Sequence, residues 1–391
     1  MRAHRVTISL LGFCAVLVAQ QAPSEAAAPT LKWRGSLWAS AVTQDRETSD
    51  GSLAFRPMES GQSQFSLDGL MLGVDASFAR GWSAKATLLA GQTGKTIQAS
   101  TGDTGTIAPV EALVAWTGER DTLRVGRMMT FIGMEFLDGS QNITASRGLL
   151  FSYSDPFGQV GVNWHHAFSP VWSADLWVFN GEDRLKDNNH GKSMGLGLTY
   201  NHRGAQDRYL SLHAYRGPEQ NGLGAAANSG AEGRQRERVC LMGQWVWGPS
   251  TLQGEVSLGR ERFAAADILG AVMPVDAFWR GVGAIYKLDI GRGIALFVRG
   301  EHLSDDSGVR LSCDPTIRAS LELDGPGGTY AGRSGVDLVA WSWSVGAEKK
   351  HGPAFARLEL RQDRLNRDLA DAQGKTFREG FSATIGLGAS F

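Results

Sequence analysis

The chain has 391 residues, with 39 Lys and Arg against 40 Asp and Glu, so its formal net charge is -1. This balance gives no case for nucleic acid as a partner, because nucleic-acid-binding domains carry a clear positive excess. After residue 20 there is no run of about 18 apolar residues, which excludes a transmembrane helix. Twelve tryptophans are many for one chain, and aromatic girdles at the two bilayer interfaces are one use for them.

Residues 1–28 have the three parts of a secretory signal peptide. Arg2 and Arg5 supply a charged start, and residues 6–19 supply an apolar core that is too short to span a bilayer. Ala26 to Ala28 form an A-x-A-like cleavage site. We therefore expect export and a mature chain that covers residues 29–391.

The last segment of the chain alternates with a period of two. Every odd residue from Phe381 to Phe391 is apolar, and the even ones are Ser, Thr or Gly. This pattern predicts a strand with one apolar and one polar face. The alternation recurs in about sixteen segments, for example at Leu70 to Phe78 and at Trp82 to Ala90. Each is near the roughly nine to eleven residues that a tilted strand needs to cross a bilayer.

Short and long links between these segments alternate without a break. The short links are 80–81, 118–120, 169–170, 203–207, 248–250, 289–292 and 350–353, and the long ones are 45–64, 93–107, 127–158, 181–192, 217–235, 260–277, 302–337 and 362–378. An up-and-down barrel with turns on one rim and loops on the other gives this order. Since no helix is predicted to cover the apolar faces, those faces must contact lipid. The expected fold class is all-β: a transmembrane antiparallel up-and-down β-barrel of about 16 strands, with long outer loops and short periplasmic turns.

A barrel of about sixteen strands leaves an aqueous channel, and the inward positions of this chain are expected to be small or polar. The charged candidates for the lumen wall are Lys85, Glu111, Asp175, Glu255, Lys287, Arg299, Glu301, Arg357, Glu359 and Arg361. Two interpretations stay open. These groups are either ordinary solvated wall residues, or some of them create a transverse field that sets ion selectivity. Because both signs are present, we expect at most weak selectivity.

The third long link, 127–158, is too apolar and aromatic for a loop in water. We expect it to fold inward and narrow the pore, because long ordered loops of this composition are usually functional. An outer rim or a subunit contact is the alternative. The candidates for the constriction are Arg124, Arg127, Glu135, Asp138 and Arg147.

The same stretch resembles a known family. The residues that carry the resemblance are Gly126-Arg127, Phe131 to Glu135, Asn142, Ser146-Arg147, Leu149 to Phe151, Asp155 to Phe157 and Gly161-Val162, followed by Val178 to Gly181 and Asp187 to Lys192. They are similar to the OmpL-like β-barrel porins, the second such bacterial family, over about residues 120–200. The resemblance implies an outer-membrane channel for passive diffusion.

The sequence gives little support for an enzyme active site or a metal-binding site. The adjacent His165 and His166 point to opposite faces of a strand and cannot share a metal. Cys240 and Cys313 lie far apart, with no metal-ligand spacing. The alternative function is an outer-membrane enzyme or adhesin that acts through its outer loops and has a blocked lumen.

The favoured interpretation is a porin in the bacterial outer membrane that passes small hydrophilic solutes and ions without a cofactor. Its expected partners are outer-membrane lipid and the barrel-assembly machinery, for which the terminal aromatic Phe391 resembles the assembly signal. A homotrimer and a monomer both stay open, because trimers are an analogy with other sixteen-stranded porins.

Overall fold

A computed structural model describes most of the chain. The described residues are 28–46, 53–59, 61, 63–100, 105–220, 233–268, 271–314, 317, 337–371 and 373–391. The predicted signal peptide lies outside them, apart from its last residue.

The described residues form sixteen strands. They are β1 (Thr30–Gln44), β2 (Gln64–Ser77), β3 (Trp82–Ala90), β4 (Ile107–Thr117), β5 (Asp121–Met129), β6 (Gly158–Ala167), β7 (Trp172–Phe179), β8 (Ser193–Asn201), β9 (Tyr209–Pro218), β10 (Gln235–Trp247), β11 (Ser250–Ile268), β12 (Ala271–Gly291), β13 (Ile294–Asp305), β14 (Leu338–His351), β15 (Ala354–Ala370) and β16 (Thr376–Ser390). Each strand pairs antiparallel with its sequence neighbours, and β1 pairs with β16 to close the barrel. The predicted fold class is confirmed.

The alternation of the sequence becomes the two faces of the wall. Outward residues such as Leu72, Val114, Leu196 and Val345 are about half exposed. In a protein in water, a continuous belt of exposed aliphatic side chains would be a severe aggregation hazard. Around a closed barrel it is the surface that contacts hydrocarbon.

Aromatic side chains collect at the rim that carries the short turns. The exposed rings there belong to Trp33, Phe78, Trp82, Trp116, Phe168, Trp172 and Trp247. Rings of this kind position a barrel at the boundary between acyl chains and head groups. Such rings occur at both interfaces, and the shortness of the turns is what is typical of the periplasmic side.

The barrel closes at the last residue. The Phe391 N–H donates to the Gly35 carbonyl at 2.9 Å, and the Gly35 N–H donates to the Phe391 carbonyl at 3.0 Å. The Phe391 ring lies over Gly35, where an added Cβ would be 2.4 Å from its Cζ atom. Only glycine fits beneath this ring, so the Phe391 ring can lie across the β1–β16 seam only because residue 35 has no side chain.

Three expectations about the links need correction. The segments 260–277 and 362–378 are largely strand, because β11 and β12 extend to 19 and 21 residues and β15 extends to 17. The segment 93–107 contains a helix, α1 (Gln92–Ser100), which packs against β2, β3 and β4 with Ile97 fully buried. The alternation analysis could not detect a nine-residue helix with such low apolar content. Within the described part of the chain, no helix has the length and apolar character to cross a membrane.

We predict that Phe391→Ala lowers the amount of folded barrel in cells severalfold, because the ring that caps the β1–β16 seam is lost. The measurement is the heat-modifiable band of outer-membrane fractions in semi-native electrophoresis. Phe381→Ala is the matched control, since Phe381 is an exposed outward ring on β16, the strand that immediately precedes Phe391. Equal losses in the two variants would show that Phe391 has no special role.

Candidate functional site

The link between β5 and β6, residues 130–157, folds into the barrel, and we call it the inner loop. Its two ends are joined where the Thr130 N–H donates to the Phe157 carbonyl at 3.1 Å. A short 3-10 turn, Gly139–Gln141, contacts β1 and β16, while a π-helical turn, Leu150–Ser154, contacts β11, β12 and β13. On another side of the lumen, Phe131 stacks on Trp177 of β7 at 4.2 Å between ring centroids. The loop thus reaches the wall on several sides.

Apolar packing holds the inner loop on these sides. Leu149 and Leu150 are fully buried in a cluster with Leu303, Leu338 and Leu365 of the wall. Ile132 belongs to a second cluster with Trp177, and Phe151 belongs to a third with Trp38. Burying one such side chain contributes about 1.5–3 kcal/mol, so apolar contact alone makes detachment of the loop costly.

At the centre of the polar contacts lies Arg299 of β13, which is completely buried. Its guanidinium forms ion pairs with Glu135 of the inner loop at 3.3 Å, Glu301 at 3.5 Å and Glu359 at 3.0 Å. It also donates to the Ser146 carbonyl at 2.8 Å and to the Ser146 hydroxyl at 2.9 Å. One wall cation is therefore bound by both loop and wall.

The wall carboxylates complete this arrangement by accepting backbone N–H groups of the loop. Glu301 accepts from Leu149 at 2.9 Å and Leu150 at 3.2 Å. Glu359 accepts from Ser146 at 2.7 Å, and Glu255 accepts from Met134 at 2.9 Å. Charge-assisted bonds of this kind are about twice as strong as neutral ones, and they satisfy loop backbone that is shielded from water.

Glycine is required where the loop approaches these carboxylates. An added Cβ on Gly148 would lie 2.3 Å from Glu301 Oε1. The Gly148 N–H donates to Glu135 at 2.7 Å. The loop can therefore reach the wall at this point only because residue 148 has no side chain.

Two further wall arginines bind loop carbonyls. Arg357 donates to the carbonyls of Gly139 at 2.8 Å and Ser140 at 3.2 Å, and it pairs with Glu348 at 2.8 Å. Arg361 donates to the Arg147 carbonyl at 2.5 Å and pairs with Asp363 at 2.8 Å. Arg357 and Arg361 therefore each have a wall carboxylate as partner in addition to the loop carbonyls.

These contacts correct the expectation of a solvated wall. Glu255, Arg299, Glu301, Arg357, Glu359 and Arg361 are buried beneath the inner loop instead of facing open water. The inward positions are also not all small or polar, since large apolar side chains point into the barrel: Trp38, Met71, Leu89, Leu113, Trp177, Phe297 and Phe355. The alternation analysis counted only the outward set and so missed a second apolar set, which faces the loop.

The other predicted wall residues lie away from the loop, nearer the short-turn rim. Lys85 is exposed, and Glu111 receives a hydrogen bond from Thr87 at 2.8 Å. Lys287 pairs with Glu348 at 3.4 Å, and Asp175 receives one from Asn163 at 3.1 Å. Partial exposure of these charges indicates that this half of the lumen is hydrated.

Sequence reasoning missed Arg34 of β1, which lies among these partly exposed charges near the short-turn rim. It pairs with Asp75 of β2 at 3.3 Å and with Glu111 of β4 at 2.5 Å. A signal was present, because Arg34 alternates with the outward residue Trp33. Also missed was Arg56 of the first long link, which donates to Ser382 at 2.9 Å and Thr384 at 2.8 Å of β16.

The predicted constriction residues do not form one group. Glu135 and Arg147 are buried in the inner loop, where Arg147 donates to the Leu137 carbonyl at 2.9 Å and burial lowers its pKa. Asp138 caps the 3-10 turn by accepting from the Ser140 N–H at 2.9 Å. Arg124 bonds Asn163 on the wall at 2.6 Å. Arg127 is buried at the end of β5, where it interacts electrostatically with Asp183.

A cavity of about 430 Å³ opens above the inner loop, on the side of the long links. Glu182, in the link between β7 and β8, bonds Arg236 and Arg238, and Arg310 lies 3.9 Å away. Burial opposes ionisation of Glu182, but these three cations outweigh it and lower its pKa to about 2. The arginines are in turn fixed, since Arg238 and Arg310 both lie about 5 Å from the Trp279 ring.

Metal and redox sites are not found in the described residues. No group of three His, Cys, Asp or Glu side chains there could hold a metal ion. Cys240 is buried and Cys313 is exposed, and neither forms a disulfide.

A comparison with protein families explains this architecture. The family described as "Putative beta-barrel porin-2, OmpL-like" matches residues 30–391, which include all sixteen strands. The chain belongs to this family. The resemblance first noted around the inner loop is confirmed and extends over the whole barrel. This member of the family is a porin-like barrel of the bacterial outer membrane.

Solved structures show the same fold. DcaP, an outer membrane channel of Acinetobacter baumannii, matches with a TM-score of 0.60 at 11% identity, over 93% of this chain and 98% of that one. OmpT of Vibrio cholerae matches with a TM-score of 0.56 at 9% identity, over 93% and 98%. Its in-vitro folded trimer form gives 0.55 at 10% identity, over 93% and 100%. At such identities the likeness concerns the fold alone. The search of the curated proteins returns no match.

We predict that Arg299→Met destabilises the barrel by about 3–5 kcal/mol, because three buried carboxylates lose their shared cation. The measurement is the free energy of unfolding in urea, with the protein in lipid vesicles. Lys85→Met is the control, since this exposed cation does not contact the loop, and its effect should stay within about 0.5 kcal/mol. The ion-pair network would be unimportant if both variants unfolded like the wild type.

Proposed function

We propose that the protein is a diffusion porin that passes small hydrophilic solutes and ions with weak charge selectivity, and that it has no enzymatic activity. The hydrated half of the lumen supports this proposal, because charges of both signs line it at partial exposure. Arg34, Asp75 and Lys287 are each between about a fifth and a third exposed. Mixed charges at a wall bias permeation only slightly, since their fields cancel over short distances.

The inner loop sets the size limit in this proposal. It carries Glu135 and Arg147 into the barrel and meets the wall at β1, β7, β11–β13 and β16. What passes the loop must be small. The loop's bonds to Arg299, Glu301 and Glu359 favour a fixed constriction over a mobile lid.

The extent of these same contacts favours one alternative function. If packing between loop and wall leaves no passage, the barrel acts as a closed scaffold that presents its long links outside the cell. The buried apolar clusters on several sides of the loop are the observation behind this second candidate. Electrical recording separates the two candidates directly.

The partners follow from the same proposal. Outer-membrane lipid contacts the outward apolar belt, and the barrel-assembly machinery inserts the chain with Phe391 as part of the signal it reads. A homotrimer is the proposed assembly, by analogy with the trimer form of Vibrio cholerae OmpT. The signal peptide over residues 1–28 is part of this proposal too.

The deciding experiment is recording from purified protein in a planar bilayer. We expect discrete conductance steps, and in a salt gradient we expect a reversal potential close to zero because selectivity is weak. A bilayer that stays sealed, while protease protection shows that the barrel has inserted, would favour the closed scaffold.

We predict that deleting Met134 to Gly148 raises the step size severalfold, because this segment fills the lumen between opposite walls. Single-channel amplitude distributions of deletion and wild type are the measurement. Shortening another long link, by deleting residues 225–229 between β9 and β10, is the control and should leave the amplitude unchanged. An unaltered amplitude in the first variant would show that the inner loop does not limit conduction.

A further inference from the structure

The cavity above the inner loop combines features of a binding site. Its volume of about 430 Å³ suits a small organic molecule. It is lined by both polar and apolar groups from six elements: the first long link, α1, the inner loop, the β7–β8 link, β10 and the β13–β14 link. Tyr153 and Phe157 supply aromatic surface at its floor. The cavity therefore lies where the long links meet the inner loop.

The acidic groups of the cavity are already satisfied. Glu182 is bonded by Arg236 and Arg238. Asp314 accepts from the Tyr153 hydroxyl at 2.5 Å, and Asp183 accepts from the N–H groups of Phe157 and Gly158, at 2.6 and 2.9 Å. Each of these carboxylates therefore has at least one partner already, which weakens its attraction for a cation.

The remaining acid, Asp155, is buried. Burial and the neighbouring Glu255 raise the pKa of Asp155 well above its ordinary value. Its carboxyl group therefore holds a proton over a wider pH range than an exposed aspartate does. The electrostatic potential at the unpaired groups of the cavity is therefore set mainly by its arginines.

The cations are not all satisfied. Arg236 is shared between Glu182 and Glu261, and Arg310 donates to the Tyr153 carbonyl at 2.7 Å and the Ser154 carbonyl at 3.2 Å. Arg184 lines the same cavity, and within the described ranges it has no hydrogen-bond or ion-pair partner. A half-buried guanidinium with free donors presents a planar fork that matches a carboxylate.

We infer that this cavity binds small organic carboxylates at the outer mouth of the barrel, with Arg184 as the anion-binding residue and Tyr153 and Phe157 as the apolar floor. The inference rests on the proposed function, because it names the solute class that a diffusion porin would concentrate at its entrance. Arg310 lines the same cavity and adds positive potential, while its own donors stay on the inner loop. Inorganic phosphate lacks the apolar part and binds more weakly at the same place.

Isothermal titration of succinate into detergent-solubilised full-length protein tests the binding. We expect Arg184→Ala to weaken succinate binding at least about tenfold, since one charge-assisted contact is lost. Arg184→Lys keeps the positive charge but lacks the planar guanidinium. Its affinity for succinate should therefore lie between the affinities of the wild type and of Arg184→Ala. Lys186→Ala is the matched control, because Lys186 is an exposed cation on the same link and does not line the cavity. Heat-modifiable migration shows whether each variant is folded.

The outcomes separate this inference from the proposed function. Absence of succinate binding to the wild type, an equal loss in Lys186→Ala, or tighter binding of putrescine than of succinate each overturns the carboxylate site, even if the barrel conducts. Phosphate binding that is as tight as succinate binding overturns the claim that the site prefers organic carboxylates to inorganic anions. Specific succinate binding to a barrel that shows no conductance would keep the site and overturn the porin function instead.

Discussion

Complete pairing of the backbone around a ring is the constraint on which this molecule depends. In hydrocarbon an unpaired N–H or C=O group costs several kcal/mol, so a sheet can enter a membrane only if it has no edge. Here β1 pairs with β16 from Ser36–Ser390 to Gln44–Ser382. Once the barrel is closed, the outward-facing side chains contact lipid and the inward-facing side chains contact whatever occupies the lumen. The location of the inner loop follows from this division.

The inner loop resolves a problem that the wide ring creates. A wall that carries Trp38, Trp177 and Phe355 inward would expose apolar surface to water if the lumen were empty, and the loop covers these side chains. The buried charges then need partners, because an isolated ion in such a place is very costly. Glu135 and the loop backbone supply them, so apolar and ionic contacts depend on the same segment being in place.

The sequence was sufficient for the barrel and insufficient for its interior. Period-two alternation at residues such as Leu196, Leu198 and Val256 identifies strands and their lipid side, because lipid contact imposes one rule on every strand. No comparable rule governs the lumen, where the partner of Arg299 is a carboxylate 164 residues earlier, Glu135. Ion pairs across such distances depend on tertiary contacts that leave no local pattern. For the same reason the residues predicted to form the constriction lie in several different places.

Salt in the medium has little access to the contact between loop and wall. Screening acts over about 8 Å in physiological saline but requires mobile ions between the charges, and Arg299, Glu301 and Glu359 are sealed from solvent. The exposed pairs at the rim, such as Arg364 with Glu379, have no such protection. A bacterium that moves between dilute and brackish surroundings would therefore keep the interior geometry of this barrel constant while its outer surface loosens and tightens with the ionic strength.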